Sequence, residues 1–68
     1  MQTDERFLRL PEVKHRTGLG RSQLYALAAR GEFPAPLKLS ERCSAWRESE
    51  VREWIQQRIA AGRQSKPA

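Results

Sequence analysis

The sequence predicts a mainly α fold with a small β-hairpin, in which two helices joined by a tight turn precede a two-stranded hairpin and a closing helix. Three observations predict this order. A short segment with two glycines, Gly18 and Gly20, separates two helical patterns. Two prolines, Pro34 and Pro36, then stop helical structure ahead of two alternating segments, and an apolar stripe at helical spacing follows. These elements in this order predict a winged helix-turn-helix.

Length and composition limit the chain to one small domain. With 68 residues, the chain has too few apolar side chains for a second core. Hydrophobic residues make up 38% and charged residues 31%, which is typical of a soluble globular domain and leaves little room for a catalytic pocket. We therefore expect no enzyme, but a domain over residues 6–62 with a frayed N-terminus over residues 1–5 and a disordered basic tail over residues 63–68.

The net charge indicates an anionic partner. Lys and Arg total 13 against 8 Asp and Glu, for a formal charge of +5. A field of this sign attracts phosphates or anionic lipid, and charge alone does not choose between them. The excess is largest in residues 21–47, where five basic residues face two acidic ones. We expect a polyanion to dock on this middle third.

The cysteine content and the hydropathy pattern exclude several kinds of site. Cys43 is the only cysteine, so no intrachain disulfide forms, and it lacks the Cys or His neighbours of a zinc site. No apolar stretch approaches the roughly 20 residues of a membrane span. We expect a cytoplasmic protein with no metal, cofactor, small-molecule ligand or membrane partner.

The first helix is predicted from its start and its stop. Residues 6–10 alternate polar and apolar side chains, as a short strand or a lead-in to a helix would. Pro11 and Glu12 then suit the first turn of a helix, because its N–H groups lack partners and its dipole favours negative charge. Val13 faces the core, and His15 points to solvent. Gly18 is free to adopt the positive φ that ends a short helix.

The second helix is predicted over Arg21–Arg30, with Gly20 as its N-terminal cap and Gly31 as its stop. Leu24, Leu27 and Ala28 form its apolar arc. The outward side and its flanks carry side chains that are polar and varied rather than a plain run of Glu and Lys. These side chains are Ser22, Gln23, Tyr25 and Arg30.

The hairpin and the closing helix complete the domain. Phe33 anchors the chain to the core, and residues 37–39 and 45–47 alternate as two strands around a polar tip. Acidic and capping residues at 48–50 start the last helix, whose apolar stripe is Val51, Trp54, Ile55 and Ile59. We expect this helix to end at Gly62 and Arg58 to extend its charged end from the stripe to solvent. Trp46 and Trp54 are interpreted as core residues, not as platforms for single-stranded bases.

Four segments together resemble the AlpA family of small phage-type transcriptional regulators. They are "RLPEV", "TGLGRSQLY", "ARGEFPAP" preceding "KL", and "AWRESEVREWI", and the resemblance covers about Arg6 to Ile59. That family belongs to a wider group of excisionase-like and MerR-like winged-helix DNA-binding domains. The resemblance implies that the second helix enters the major groove and that the hairpin touches the adjacent backbone or minor groove.

The resemblance also implies which residues contact DNA. Arg21 is expected at a guanine or a phosphate, Gln23 at adenine through two hydrogen bonds, and the Tyr25 hydroxyl at a phosphate. Two residues depart from the family pattern: Ala26 replaces a common basic residue, and Gly20 replaces a common serine. The candidate DNA-binding residues are Arg21, Ser22, Gln23, Tyr25, Arg30, Lys38 and Arg42.

These observations predict a sequence-specific regulator that binds double-stranded DNA at a promoter, in a phage or mobile-element setting, and that is associated with the nucleoid. One alternative is an excisionase, a recombination directionality factor that bends attachment-site DNA. An alternative of another class is a small protein-interaction adaptor, such as an antitoxin-like partner. We expect one domain to bind weakly and to self-associate cooperatively on repeated sites.

Overall fold

The protein is described here by a computed structural model that covers residues 5–64. Three helices and an antiparallel hairpin confirm the predicted fold class, a mainly α winged helix-turn-helix. In chain order the elements are β1 (Phe7–Leu8), α1 (Leu10–Thr17), α2 (Arg21–Ala29), β2 (Leu37–Ser40), β3 (Cys43–Arg47) and α3 (Glu48–Gln64).

Two glycines set the lengths of the first two helices. Gly18 has φ +77° and Gly31 has φ +76°, a region that side chains other than glycine rarely adopt. The N–H of Gly18 donates to the carbonyl of Lys14 at 2.8 Å and so closes α1. The predicted stops are confirmed, although α2 is one residue shorter than expected because Arg30 is its C-terminal cap.

The sheet contains one strand more than the sequence predicted. β2 and β3 form the expected antiparallel hairpin, but β1 pairs with the other edge of β3, so the strand order is β1-β3-β2. Phe7 lies opposite Arg47, and Leu8 lies opposite Trp46. The predicted two-stranded hairpin is therefore confirmed, and β1 adds a third strand to it. The third strand forms because Leu8, only 2% exposed, enters the core beside Trp46.

The core lies between the sheet and the three helices. Trp46 is fully buried at its centre, and its indole N–H donates to the carbonyl of Pro34 at 2.8 Å. Trp54 is half-buried against Phe33, and its indole N–H donates to the carbonyl of Glu32 at 2.7 Å. Trp46 is thus confirmed as a core residue, and Trp54 packs at the core's edge. The buried cluster consists of Leu8, Val13, Leu24, Phe33, Trp46 and Val51.

The last helix runs further than predicted. Gly62 does not end α3, which continues through Arg63 to Gln64. A helix tolerates an internal glycine at a cost of about 1 kcal/mol relative to alanine, so a single glycine is a weak stop. The prediction of a disordered tail was therefore wrong for these two residues, and residues 65–68 lie outside the described part of the chain. Ile59, predicted on the buried stripe, is 43% exposed.

The predicted frayed N-terminus falls mostly outside the described residues, which begin at Glu5. Glu5 itself is not frayed. Its carboxylate accepts hydrogen bonds from the backbone N–H of Ser49 at 3.1 Å, from the Ser49 hydroxyl at 2.8 Å and from Arg47 Nη2 at 3.2 Å. The first of these bonds is the main reason why the pKa of Glu5 lies below its ordinary value. Glu5 therefore ties the strand before α1 to the first turn of α3.

Candidate nucleic-acid interface

The helix α2 presents one side to the core and the other to solvent, as predicted. Leu24 is fully buried, and Leu27 and Ala28 are partly buried against the core cluster. Ser22 and Ala26 are exposed on the outward side. A helix about 10–12 Å across, supported from behind in this way, has the dimensions that fit a DNA major groove.

Tyr25 joins this helix to the sheet. Its ring lies edge-on to the Trp46 ring, with 5.8 Å between the ring centroids, yet the residue remains 37% exposed. The guanidinium of Arg21 stacks over the Tyr25 ring at 5.5 Å from its centroid. Arg21, the first residue of α2, therefore lies back along the helix against Tyr25. A cation and an exposed tyrosine therefore sit together beside the hairpin.

Gln23 has a structural contact that sequence reasoning missed. Its side-chain Oε1 accepts a hydrogen bond from the backbone N–H of Gly20 at 3.1 Å. A glutamine three residues after the N-terminal cap is the sequence signal for this half of a capping box, and Gly20 has no side chain to form the other half. The signal was present in the sequence, but the Gln23 side chain was interpreted only as a base contact.

The register of the hairpin places Lys38 on the same face of the sheet as the α2 contact. Lys38 pairs with Ser44, and Ser44 shares a strand face with Trp46 because side chains two residues apart point the same way. Trp46 is the residue that Tyr25 packs against. Arg47, one residue further, belongs to the opposite face. Lys38 and α2 therefore border the same side of the molecule.

The other two predicted cations lie at the ends of this surface. Arg42 is exposed in the two-residue turn between β2 and β3. Arg30 follows the last residue of α2 and forms an ion pair with Glu32 at 3.0 Å, in which both side chains are at least half exposed. The predicted site is thus brought together around Arg21, Tyr25 and Lys38, with Arg42 at the hairpin tip.

Ion pairing separates the cations of the described residues 5–64 into two groups. Arg21, Lys38 and Arg42 have no carboxylate partner in this part of the chain, whereas four arginines do: Arg16, Arg30, Arg47 and Arg52. Five further exposed cations in residues 5–64 have no carboxylate partner: Arg6, Arg9, Lys14, Arg58 and Arg63. Of these, Arg9 and Lys14 lie at the start and near the end of α1. Sequence reasoning did not select them, because only their position beside a helix-turn-helix makes them candidate phosphate contacts.

The paired group forms a network where α1 meets α3. Arg16 bonds to Glu12 at 3.0 Å and to Glu48 at 3.0 Å, and Glu48 also meets Arg52 at 3.5 Å. The hydrogen bond from Arg16 lowers the pKa of Glu12, and the bonds to Glu12 and then Glu48 raise the pKa of Arg16. These charges stabilise the ionised forms of one another and join two helices.

Other kinds of site find little support in the described part of the chain. No group of three or more His, Cys, Asp or Glu within residues 5–64 is arranged to hold a metal ion. Cys43 is a free, half-buried thiol at the start of β3, as predicted. Across the same residues, none of the helices has the length and apolar character needed to cross a membrane.

Comparison with known proteins gives the family. The model of the prophage CP4-57 regulatory protein (AlpA) family matches residues 6–59. The chain belongs to the AlpA family. Uncharacterized protein ORF88 of Enterobacteria phage P4 is 52% identical over 58 residues, which are 85% of this chain and 66% of that protein. The chain therefore spans just under two thirds of the length of this relative. The resemblance predicted from four short segments is confirmed.

The AlpA family match covers the whole candidate interface. Residues 6–59 run from the strand before α1 to the middle of α3, and they include α2 and the hairpin. All seven predicted contact residues lie within this range. The family is one of phage-type regulators, which agrees with the regulatory role expected from the sequence.

Proposed function

We propose that this AlpA-family chain is a sequence-specific transcriptional regulator that binds double-stranded DNA at a promoter of a phage or mobile element. In this proposal α2 enters the major groove, and the hairpin contacts the adjacent backbone or minor groove. One observation carries it: Arg21 and Lys38 are cations without a carboxylate partner in residues 5–64, on the side where Tyr25 joins α2 to the sheet, and Arg42 is a third such cation at the hairpin tip. A polyanion is the partner that such a surface attracts most strongly.

The contacts divide into those that hold the backbone and those that distinguish bases. Lys38 and Arg42 lie outside the helix and hold phosphates, and the exposed Tyr25 donates its hydroxyl to another. Ser22 and Gln23, exposed on the first turn of α2, reach base edges. Arg21 beside them strengthens binding to whichever phosphate or guanine it meets.

Arg30 is expected to contribute less than the unpaired cations. Its ion pair with Glu32 is exposed, and pairs of this kind are worth about 0–1 kcal/mol. A DNA phosphate can replace Glu32 at small cost, but the displaced carboxylate then repels the same phosphate. We therefore expect Arg30→Ala to weaken binding less than Lys38→Ala.

Cooperative binding to repeated sites follows from the small size of the helix. The nine residues of α2 extend over about 14 Å, enough for only a few base pairs. One copy is therefore expected to discriminate poorly, and neighbouring copies on repeated sites raise both affinity and specificity. Footprinting on the DNA that flanks the gene tests this directly, because it reports how many sites are protected and how they are spaced.

A binding titration at several salt concentrations tests the contacts. Lys38→Ala and Arg42→Ala should each weaken binding to all sequences alike and reduce the slope of log affinity against log salt by about 0.9. Arg47→Ala is the matched control, since Arg47 lies on the opposite face of the same sheet in an ion pair with Glu5. The slope of log affinity against log salt for Arg47→Ala should equal that of the wild type.

Other outcomes would redirect the proposal. Binding to duplex DNA that does not depend on salt, or no binding at all, would contradict it and favour the adaptor role. Strong bending of a bound attachment site, measured by the position dependence of gel mobility, would favour an excisionase. Equal loss of slope in Arg47→Ala and Lys38→Ala would show that the wrong face of the sheet was chosen.

A further inference from the structure

The carboxamide of Gln23 has a fixed orientation in the free protein. The backbone N–H of Gly20 is a donor, so the atom that meets it at 3.1 Å must be the side-chain oxygen. The NH₂ group of Gln23 therefore points away from the start of α2. Gly20 has no side chain of its own for capping, which makes this bond the side-chain contribution to the cap.

This orientation changes the base that Gln23 is suited to read. A bidentate contact with adenine needs the Gln23 oxygen to accept from N6–H₂ while the NH₂ group donates to N7. The oxygen is already engaged, and turning it to the DNA would exchange this exposed bond for one between the Gly20 N–H and water. Guanine presents two acceptors in the major groove, N7 and O6, so a side chain that only donates hydrogen bonds can bind it.

We infer that Gln23, held by its capping bond to Gly20, donates to a guanine in the major groove and disfavours adenine at the same position. This inference rests on the proposed DNA binding. The position of Arg21 supports it, because this cation stacks over Tyr25 at 5.5 Å. That leaves the first turn of the helix to the shorter neutral side chains of Ser22 and Gln23. The cap thus selects the base by fixing which end of the amide faces out.

The main experiment compares the wild type with Gln23→Ala and Gln23→Glu on duplexes that differ at single base pairs. Gln23→Ala identifies the position by relaxing preference there. At that position the wild type should favour guanine over adenine by about tenfold. Gln23→Glu keeps an oxygen for the Gly20 N–H but presents only an acceptor outward, so it should lose the preference for guanine and favour a base whose amino group donates, cytosine or adenine. A wild-type preference for adenine at that position would overturn the inference.

A second pair of variants tests the cap itself. Gly20 has φ −83°, near the value that proline imposes, and Gly20→Pro removes the N–H that holds Gln23. Gly20→Ala is the control, since it keeps the N–H and its Cβ meets only Gln23 Oε1 at 3.9 Å. In Gly20→Pro the base preference at the Gln23 position should shift toward adenine. In Gly20→Ala it should remain guanine. Identical preferences in the two folded variants would contradict the role of the cap.

The results separate this inference from the proposed function. If the wild type has no preference among duplexes, sequence-specific binding itself fails. If a preference exists but Gln23→Ala relaxes no position, or relaxes one that favours adenine, DNA binding stands and the role assigned to Gln23 is wrong. Circular dichroism checks that Gly20→Pro folds, and where it does not, the loss of the guanine preference in Gln23→Glu decides the question.

Discussion

Two regions of this small domain use their arginines in opposite ways. Where β1, α1 and α3 meet, Arg16 and Arg47 are each bound to two carboxylates, and one bond of each arginine joins segments far apart in the chain. On the surface of α2 and the hairpin, Arg21 and Arg42 have no carboxylate partner within residues 5–64. The first region uses charge for folding, and the second leaves charge available to a ligand.

The difference teaches that net charge alone does not locate a binding surface. Residues 21–47 carry five basic side chains, but two of them, Arg30 and Arg47, are paired with glutamates. The remaining three are the cations that border α2 and the hairpin tip. A charged side chain that is already neutralised gains little from a phosphate, because it must first give up its partner.

The largest expected effect comes from Trp46, the residue at which the two regions meet. Trp46→Ala should lower the free energy of unfolding by about 3–5 kcal/mol, because it leaves a cavity and removes the support of Tyr25. Denaturant unfolding followed by circular dichroism measures this. Trp54→Ala is the matched control, and its effect should be smaller because Trp54 is only half-buried. Equal effects would mean that the core is centred elsewhere.

The second effect concerns the end of α2. Gly31→Val places a β-branched side chain at φ +76°, which should cost about 1–2 kcal/mol or more of stability. Gly62→Ala, in the interior of α3 with open space around its Cβ, should instead stabilise the protein by up to about 1 kcal/mol. Thermal unfolding of both variants measures the contrast. An unchanged midpoint for Gly31→Val would show that α2 ends differently.

A pair of arginine variants tests the contrast between the two regions most directly. Arg16→Met should lower the unfolding midpoint, because Glu48, only 13% exposed in its side chain, loses a partner, but it should leave the salt dependence of DNA binding unchanged. Arg21→Met should leave the unfolding midpoint nearly unchanged. It should reduce the slope of log affinity against log salt by about 0.9. If Arg16→Met and Arg21→Met both change the unfolding midpoint, or both change the salt dependence of binding, then ion pairing does not separate the folding arginines from the binding ones.

The smallest effect is a pH dependence in the paired region. The pKa of Glu5 is lowered, first by the Ser49 N–H and then by the Ser49 hydroxyl, and that of Glu12 is lowered by Arg16. Since the folded state holds these groups below their ordinary value of 4.5, their contribution is present above that pH and is lost as pH falls through the folded pKa. Glu5→Gln should flatten this acid-side loss of stability in unfolding experiments below about pH 5. If stability falls with pH as steeply in Glu5→Gln as in the wild type, the lowered pKa of Glu5 does not cause the acid-side loss.

Local signals in the sequence were enough for the helices and the hairpin, but not for contacts between distant segments. Gly18, Gly31 and the prolines act within a few residues, so their effects were predictable. The pairing of Phe7 and Leu8 with β3 depends on residues about 40 positions away, and the short alternation of residues 6–10 suited a strand or a helix lead-in equally. The partners of Arg16 and Arg47 were hidden for the same reason.

The candidate interface was predictable in its residues but not in their states. The exposed side chains of α2 followed from helical spacing. Lys38 was selected through the family resemblance, since all four residues of β2 are exposed and alternation does not distinguish it. Whether an arginine is paired, and which way the Gln23 amide points, depends on neighbours that only the folded chain brings together. The family match adds the kind of regulator, which spacing alone did not establish.

The segment between α2 and β2 has a consequence for the thermodynamics of binding. Its carbonyl groups at Glu32 and Pro34 each accept an indole N–H, and Phe33 between them is buried. These bonds hold the helix and the hairpin at a set separation in the free protein. If the proposed DNA binding holds, little conformational entropy of this segment is lost on association, so more of the contact energy appears as affinity. We then expect weaker binding to a groove whose width does not match that separation.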